Sequence, residues 1–231
     1  QIWLGASISI IIFIPIIFLL LNDQVRRHIN FKNNIINDSL NQKWRTRDLI
    51  KQKKFYIYLP LSITSSFVST GLMFHQIFIF NQKGWSLIML GNGFLFLGIF
   101  SIIGLIIGGP IIDKFNTRKT ALTALLPLFL ALLVLIFFNN YFSLLLYMSL
   151  YGLNHGLTTP FIGALWAEIY GVESLGTVKA LLHAGGVFAS ALSPLIFGYL
   201  IDIGFGISII VAISVLIIFV STLLPIYNKL P

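Results

Sequence analysis

Apolar residues in this chain come in long unbroken runs, separated by short polar connections and by one long polar stretch. There are seven such runs, and several reach or exceed the roughly 20 residues that a helix needs to cross a bilayer. Continuous runs differ from the alternating ten-residue strands of a membrane barrel. The pattern therefore predicts an all-α integral membrane protein with seven transmembrane helices. The runs cover approximately residues 2–21, 55–80, 87–112, 120–138, 141–167, 178–201 and 205–227.

Composition points to the same class. The mean hydropathy is +0.94, and 57% of the residues are hydrophobic while 10% are charged, whereas soluble domains carry about 25% charged residues. Cysteine is absent, which excludes disulfides and thiolate metal sites in this chain. The sequence also lacks the glycine-rich ATP loop and the H-E-x-x-H metalloprotease motif. We predict neither an enzyme nor a cofactor.

The first apolar run does not read as a secretory signal. It begins at Gln1 rather than at a methionine, and it has neither a positively charged start nor a small-residue cleavage site. We therefore expect this sequence to be a fragment whose natural N-terminus is missing.

The positions of the basic residues predict an orientation, because Lys and Arg accumulate in cytoplasmic loops. Nine of them lie in the loop 22–54. If this loop is cytoplasmic, seven alternating spans place fourteen of the fifteen basic residues inside, and only Lys83 falls outside. We expect a bacterial inner-membrane protein with a cytoplasmic C-terminus. The net charge of +8 then marks topology and lipid contact, and it does not indicate nucleic-acid binding.

The long polar stretch divides the chain. We predict a transmembrane helix at 1–21, a basic cytoplasmic loop at 22–54 and a six-helix transmembrane domain at 55–231. Within the loop, Trp44 to Lys54 is predicted to be an amphipathic segment on the membrane surface. Within the domain, Gly-Pro-Ile-Ile-Asp at 109–113 is echoed by Gly-Tyr-Leu-Ile-Asp at 198–202. Both end the second helix of a set of three, which predicts an inverted 3+3 repeat of the kind found in secondary transporters.

A charged motif connects two of the predicted spans. Gly109, Asp113, Lys114, Arg118 and Lys119 form the pattern G-x-x-x-D-K-x-x-x-R-K. Its spacing and its place at a cytoplasmic helix junction resemble the signature loop of the major facilitator superfamily. The sequence departs from that pattern at position 116, where Asn stands instead of the usual Gly. We expect Asn to keep the turn because it tolerates the left-handed conformation.

The resemblance implies a twelve-helix secondary transporter that works by alternating access. The chain would supply its sixth helix, its central loop and helices seven to twelve, so that the N-terminal half is missing. In a rival assignment, residues 55–227 are the first six helices behind an extra anchor. The resemblance also implies a small-molecule substrate and the lipid bilayer as partners.

The charged motif is a candidate gate. We expect Gly109 to allow close helix approach, and Asp113 to face a helix N-terminus and pair with Lys114, Arg118 and Lys119. Glu168 and Lys179 form a candidate second gate across the next loop on the same side. In the alternative interpretation, all these residues are topology anchors or solvated loop charges.

Polar residues deep in the predicted spans are the candidate substrate ligands. Pro160, with Gly152 and Gly156, is predicted to break its helix and expose backbone groups. Asn154 and Thr158 are four apart and share a helix face. The alternatives are that Asn and Thr bridge helices and that the His residues only pack. The candidates are Thr70, His75 and Gln76 in one span, Asn154, His155, Thr158 and Thr159 in another, and Lys179 with His183 in a third.

These residues suggest a small polar metabolite or a weak organic acid as substrate. No Asp or Glu lies deep in any predicted span. If transport is coupled to protons, the carrier is His75, His155 or a residue of the missing half. The alternative function is a non-transporting membrane sensor or scaffold built on a transporter fold.

Overall fold

The computed structural model describes residues 11, 14, 15 and 44–227. Contacts between residues divide the chain into two units, Gln1–Gln42 and Lys43–Pro231. Nearly all of the first predicted span, much of the loop that follows it and the last four residues lie outside the described residues. The first predicted span, and with it the total of seven, the domain boundaries and the missing N-terminal half therefore remain predictions.

Within residues 44–227, regular structure is entirely helical. This confirms the predicted all-α class. A 3₁₀ turn, Val172–Ser174, lies between the helices Tyr141–Tyr170 and Leu175–Asp202. The α-helices are α1 (Thr46–Leu49), α2 (Lys53–Phe74), α3 (Gln76–Lys83), α4 (Leu87–Lys114), α5 (Thr117–Leu122), α6 (Leu126–Phe137), α7 (Tyr141–Tyr170), α8 (Leu175–Asp202) and α9 (Ile207–Tyr227).

Five helical segments of the described part are long and apolar enough to cross a membrane. The longest helix, α7, is not among them although it has 30 residues. Its middle carries Asn154, His155 and two threonines, which lower its mean hydropathy. The five segments confirm a multi-pass membrane protein. The helix that is not among them, α7, carries several polar residues in its middle. They are Lys53–Phe74, Ile88–Lys114, Thr117–Phe137, Val172–Asp202 and Ile207–Tyr227.

Connections between successive membrane spans alternate between the two ends of the bundle. At one end, Lys83 Nζ donates to Asn139 Oδ1 at 2.7 Å, and Gln82 Oε1 accepts from the Ile207 N–H at 3.1 Å. Partial burial in this contact lowers the pKa of the Lys83 ammonium group. At the other end, the Trp44 N–H donates to Ser174 Oγ at 2.9 Å. This alternation is the one that the predicted distribution of basic loops requires.

Helices α4 and α7 approach each other closely because glycines line their interface. A Cβ on Gly152 would overlap the Leu97 carbonyl oxygen, and a Cβ on Gly156 would overlap the Ser101 carbonyl oxygen. A Cβ on Gly104 would lie 2.8 Å from the Leu153 oxygen. Backbone atoms cannot move aside as a flexible side chain can, so each glycine is required by space.

The predicted break in α7 is wrong. The helix runs without interruption from Tyr141 to Tyr170 and contains Pro160. It ends at Gly171, where φ is +79°, a backbone conformation that glycine adopts without strain. Gly152 and Gly156 serve packing on α4 and do not loosen the helix.

Helices α2 and α8 form the second close interface. Gly71 faces Ser193 and Phe197, and its added Cβ would lie 2.5 Å from the Phe197 ring. Gly185 faces the middle of α2, where its added Cβ would lie 3.6 Å from Ile63. The α2 helix ends one residue before His75, and α3 continues in its place, so the span bends at that histidine.

The segment before α2 was predicted to be amphipathic and to lie on the membrane surface, and its place on the membrane remains a prediction. It contains a single helical turn, α1, whose Leu49 is fully buried. Trp44 packs edge-on against Tyr170 with ring centroids 5.6 Å apart. Residues 44–52 therefore dock on the connection between α7 and α8, where Leu49 is buried and the Trp44 indole is partly buried.

Candidate functional site

A cavity of about 1000 Å³ lies between α2, α7 and α8. Every residue of its lining belongs to one of these three helices. Hydroxyl groups dominate the α2 side, whereas imidazole, hydroxyl and ammonium groups lie on α7 and α8. The polar residues in the lining are Ser62, Ser65, Ser66, Ser69 and Thr70 on α2, Tyr151, His155, Thr158, Thr159 and Trp166 on α7, and Lys179, His183 and Ser190 on α8.

The structure brings together six of the predicted site residues in this cleft. They are Thr70, His155, Thr158, Thr159, Lys179 and His183. Of these, His155, Thr159, Lys179 and His183 are exposed to the cavity. Lys179 was predicted both as a gate residue and as a substrate ligand, and it lies in the wall of the cleft.

The sequence interpretation missed most of the α2 wall. Ser62, Ser65, Ser66 and Ser69 recur at intervals of three and four residues, which puts them on one face of a helix. Each was overlooked because a single serine is common in membrane spans, where it bonds back to its own helix. The helical spacing of the set is the signal that identifies a polar face.

Asn154 lies behind the cleft wall and is 1% exposed. Its Oδ1 accepts from Ser65 Oγ at 2.9 Å, and its Nδ2 donates to the Ala124 carbonyl at 2.9 Å. Nδ2 also lies 3.2 Å from Thr158 Oγ1, as the shared helix face predicts. The amide thus joins α2, α7 and the turn between α5 and α6, which is the bridging role kept open as the alternative.

His75 and Gln76 also lie outside the cleft lining. His75 Nδ1 lies 2.9 Å from the Gly71 carbonyl oxygen, and its ring packs beside Phe197. Gln76 is 5% exposed and lies beside the hydroxyl of Tyr147. His75 thus lies at the junction between α2 and α3, and its ring bonds to the backbone of α2.

Two aromatic side chains fix the α2 and α7 walls to each other. The Tyr151 hydroxyl donates to the Ser69 carbonyl at 2.9 Å, and Trp166 Nε1 donates to Ser62 Oγ at 2.8 Å. Both hydrogen bonds cross from α7 to α2. His155 and Thr159 lie between these two aromatic residues on α7 and are exposed to the cleft.

The charged motif forms a bridge to α7. Asn116 is the N-cap of α5, and its Oδ1 accepts from the Arg118 N–H at 2.9 Å. Its backbone is extended, with φ −61° and ψ 134°, so the predicted left-handed turn is wrong. An Asn suits this position because its side chain caps the helix. Arg118 Nε lies 3.4 Å from Glu168 Oε1 near the end of α7.

The other motif residues are placed differently from the prediction. A Cβ on Gly109 would meet no described atom within 4 Å, whereas one on Gly108 would lie 2.6 Å from Pro160. Close helix approach therefore belongs to Gly108. Asp113, Lys114 and Lys119 are exposed at this end of the bundle. The structure places Arg118 beside Glu168, whereas pairing with Asp113 was predicted.

Among the residues that the structure describes, no group of three His, Asp or Glu side chains is placed to hold a metal ion. The polar groups of the cleft are hydrogen-bond donors and acceptors at the centre of apolar helices. Such groups are costly in a bilayer unless they line a cavity or bond to each other.

The comparisons agree with this architecture. No curated protein matches the chain. Residues 62–229 match the Major Facilitator Superfamily, and this stretch contains the C-terminal part of α2, the charged motif and the whole cleft. The match covers well over half of the chain. The chain belongs to the major facilitator superfamily and is a membrane transporter of that family.

Proposed function

We propose that this protein moves a small polar metabolite or organic acid across a bacterial inner membrane by alternating access. The observation that carries the proposal is the cleft between α2, α7 and α8, a cavity lined by hydroxyl, imidazole and ammonium groups. Pockets of a few hundred to about 1000 Å³ suit small ligands. Solutes bind at the interface of two repeats in transporters of this kind.

The proposal includes two sets of three spans with opposite orientation. Its support is the contact pattern: α2 packs on α8 as α7 packs on α4, and α6 packs on α7 as α9 packs on α2. One set consists of α2 to α6, and the other consists of α7 to α9. Exchanging α2 with α7, α4 with α8 and α6 with α9 leaves these contacts unchanged. We propose that a second six-helix half closes the cleft from the side that α2, α7 and α8 leave unlined.

The proposal assigns the ion pair between Arg118 and Glu168 to the gate. Each side chain is more than a third exposed, and such surface ion pairs contribute about 0 to 1 kcal/mol. A contact of this strength holds one conformation without preventing the other. The proton carrier would be His155, because it is the imidazole of α7 that faces the cleft.

Untargeted uptake tests this function. Proteoliposomes that contain the full-length protein are incubated with a bacterial metabolite extract, and their contents are identified by mass spectrometry. The matched control is Thr159→Trp, which fills the cleft from an exposed position. We expect one or a few polar solutes to accumulate only with the unaltered protein. Equal contents in both preparations would contradict transport and favour a sensor or scaffold.

A further inference from the structure

The cleft carries basic side chains on two of its three walls. Lys179 and His183 lie on α8, and His155 lies on α7. We propose that the cleft selects small organic anions, with Lys179 and His183 as the residues that bind the carboxylate or phosphate group. The inference rests on the proposed function and narrows its substrate to an anion.

Helical spacing places the two α8 groups together. Lys179 and His183 are four residues apart, so their Cβ atoms lie about 5 to 6 Å from each other on one face. Both side chains are exposed to the cavity. An ammonium and an imidazole at this separation can contact two oxygens of one carboxylate or phosphate.

Acidic residues are missing from the cleft. No Asp or Glu belongs to the lining that the described residues of α2, α7 and α8 provide. The nearest acid along α7 is Glu168, which pairs with Arg118 outside the cavity. Glu173 lies in the 3₁₀ turn between α7 and α8 and is also outside the lining. No described residue of the cleft lining therefore neutralises the positive charge of Lys179.

The α2 wall completes the site without adding charge. Its hydroxyl groups donate hydrogen bonds to anionic oxygens, and charge-assisted hydrogen bonds are stronger than neutral ones. Apolar helices around a cavity concentrate the field of a single charge, since their dielectric constant is low. The cleft is thus expected to attract anions and to repel cations before any specific contact forms.

Cysteine chemistry measures this selectivity directly, because the 231 residues of this chain contain no cysteine and any cysteine elsewhere in the full-length protein is first replaced by serine. Ser66→Cys places a thiol on the α2 wall, opposite α8. Its rates of modification by an anionic sulfonate methanethiosulfonate and by a cationic trimethylammonium methanethiosulfonate are measured on the full-length protein in zwitterionic lipid. The control is Ser208→Cys, an exposed position of α9 outside the cleft.

We expect the anionic-to-cationic rate ratio at Ser66→Cys to exceed that at Ser208→Cys by about tenfold, the lower end of the range for charge-lined clefts. Lys179→Gln should remove most of the difference, and Lys179→Arg should keep it. His183→Gln should lower the ratio by a smaller factor than Lys179→Gln does. The ratio at Ser208→Cys should stay constant in every background, which checks that the variants fold.

Equal ratios at the two positions, or a ratio that Lys179→Gln leaves unchanged, would overturn the inference. An elevated ratio that disappears when phosphatidylglycerol is added would assign the charge to a lipid headgroup site and would also overturn it. Labelling requires no transport. A charge-neutral cleft in a protein that accumulates solutes would therefore refute anion selection alone, and absence of uptake would refute the proposed function alone.

Discussion

Two faces of α7, only one residue apart in sequence, have opposite physical characters. Gly152 and Gly156 lie against backbone atoms of α4 at distances that admit no side chain. His155 and Thr159 face an open polar cavity. Successive residues on a helix differ by about 100° in direction, so a four-residue repeat of glycine and a four-residue repeat of polar groups occupy separate stripes. One stripe stabilises the bundle, and the other is available to a solute.

Asn154 lies on neither stripe and shows why the face of the helix matters. It is as polar as its neighbour His155, yet it is buried and bonded to three parts of the protein. A polar residue in a membrane span is therefore no evidence of a ligand site until its face of the helix is known. Substitutions along α7 should divide into losses of stability and losses of transport.

The largest effect is expected on the glycine stripe. Gly156→Ala places a Cβ against the Ser101 carbonyl oxygen and 2.7 Å from the Leu105 nitrogen, so α4 and α7 must separate. We expect a loss of about 3 kcal/mol in the free energy of unfolding, the upper part of the range for overpacking. Denaturant unfolding in detergent measures it. Gly163→Ala is the control, because its Cβ meets no described atom within 4 Å; equal stability of the two variants would contradict the packing role.

Asn154→Ala should also destabilise the bundle. It leaves Ser65 Oγ and the Ala124 carbonyl without their partner, at a cost of about 2 kcal/mol. Thr159→Ala, at an exposed position on the cleft face, should leave stability unchanged. The same unfolding experiment measures both. A stable Asn154→Ala protein with a raised KM for its solute would instead place the amide in the binding site.

His155→Ala should reduce transport and spare the fold. Loss of one hydrogen bond to a solute costs about 1.4 kcal/mol, or tenfold in the initial uptake rate at low solute concentration. If His155 carries the coupled proton, the pH dependence of uptake should also flatten. Leu146→Ala, an exposed apolar position of α7, is the control for expression and insertion. Uptake with an unaltered rate and pH profile would return His155 to a packing role.

The smallest effect is expected at the gate. Arg118→Gln removes an ion pair that contributes about 0 to 1 kcal/mol, so uptake should change by no more than about fivefold. Exchange of the two charges, Arg118→Glu with Glu168→Arg, should restore the original rate because the contact is reformed. If the double variant is as impaired as the single ones, the pair does not act as a unit.

The sequence predicted the membrane helices well because hydropathy depends on composition and length alone. The bounds of α4, α8 and α9 lie within a few residues of the predicted runs. The motif at 109–119 identified the family, which the match over residues 62–229 confirms. These features are encoded locally, in the order and spacing of neighbouring residues.

The features that the sequence did not predict are those that depend on a second helix. Pro160 reads as a helix breaker, but α7 continues through it, and the Pro160 ring lies against Gly108 of α4. Asn116 reads as a turn residue, but it caps α5. Glu168 was associated with Lys179, its neighbour across the loop, and instead contacts Arg118 from a distant part of the chain. No local pattern encodes which helices become neighbours.

Access to one residue from both sides of the membrane tests the central claim most directly. Thr159→Cys places a single thiol of this chain on the cleft face of α7, and a membrane-impermeant thiol reagent is applied to the full-length protein in proteoliposomes from outside only or from inside only. An alternating-access transporter predicts labelling from each side, with a transported solute slowing both reactions. Labelling from one side alone, or from neither, would contradict the account.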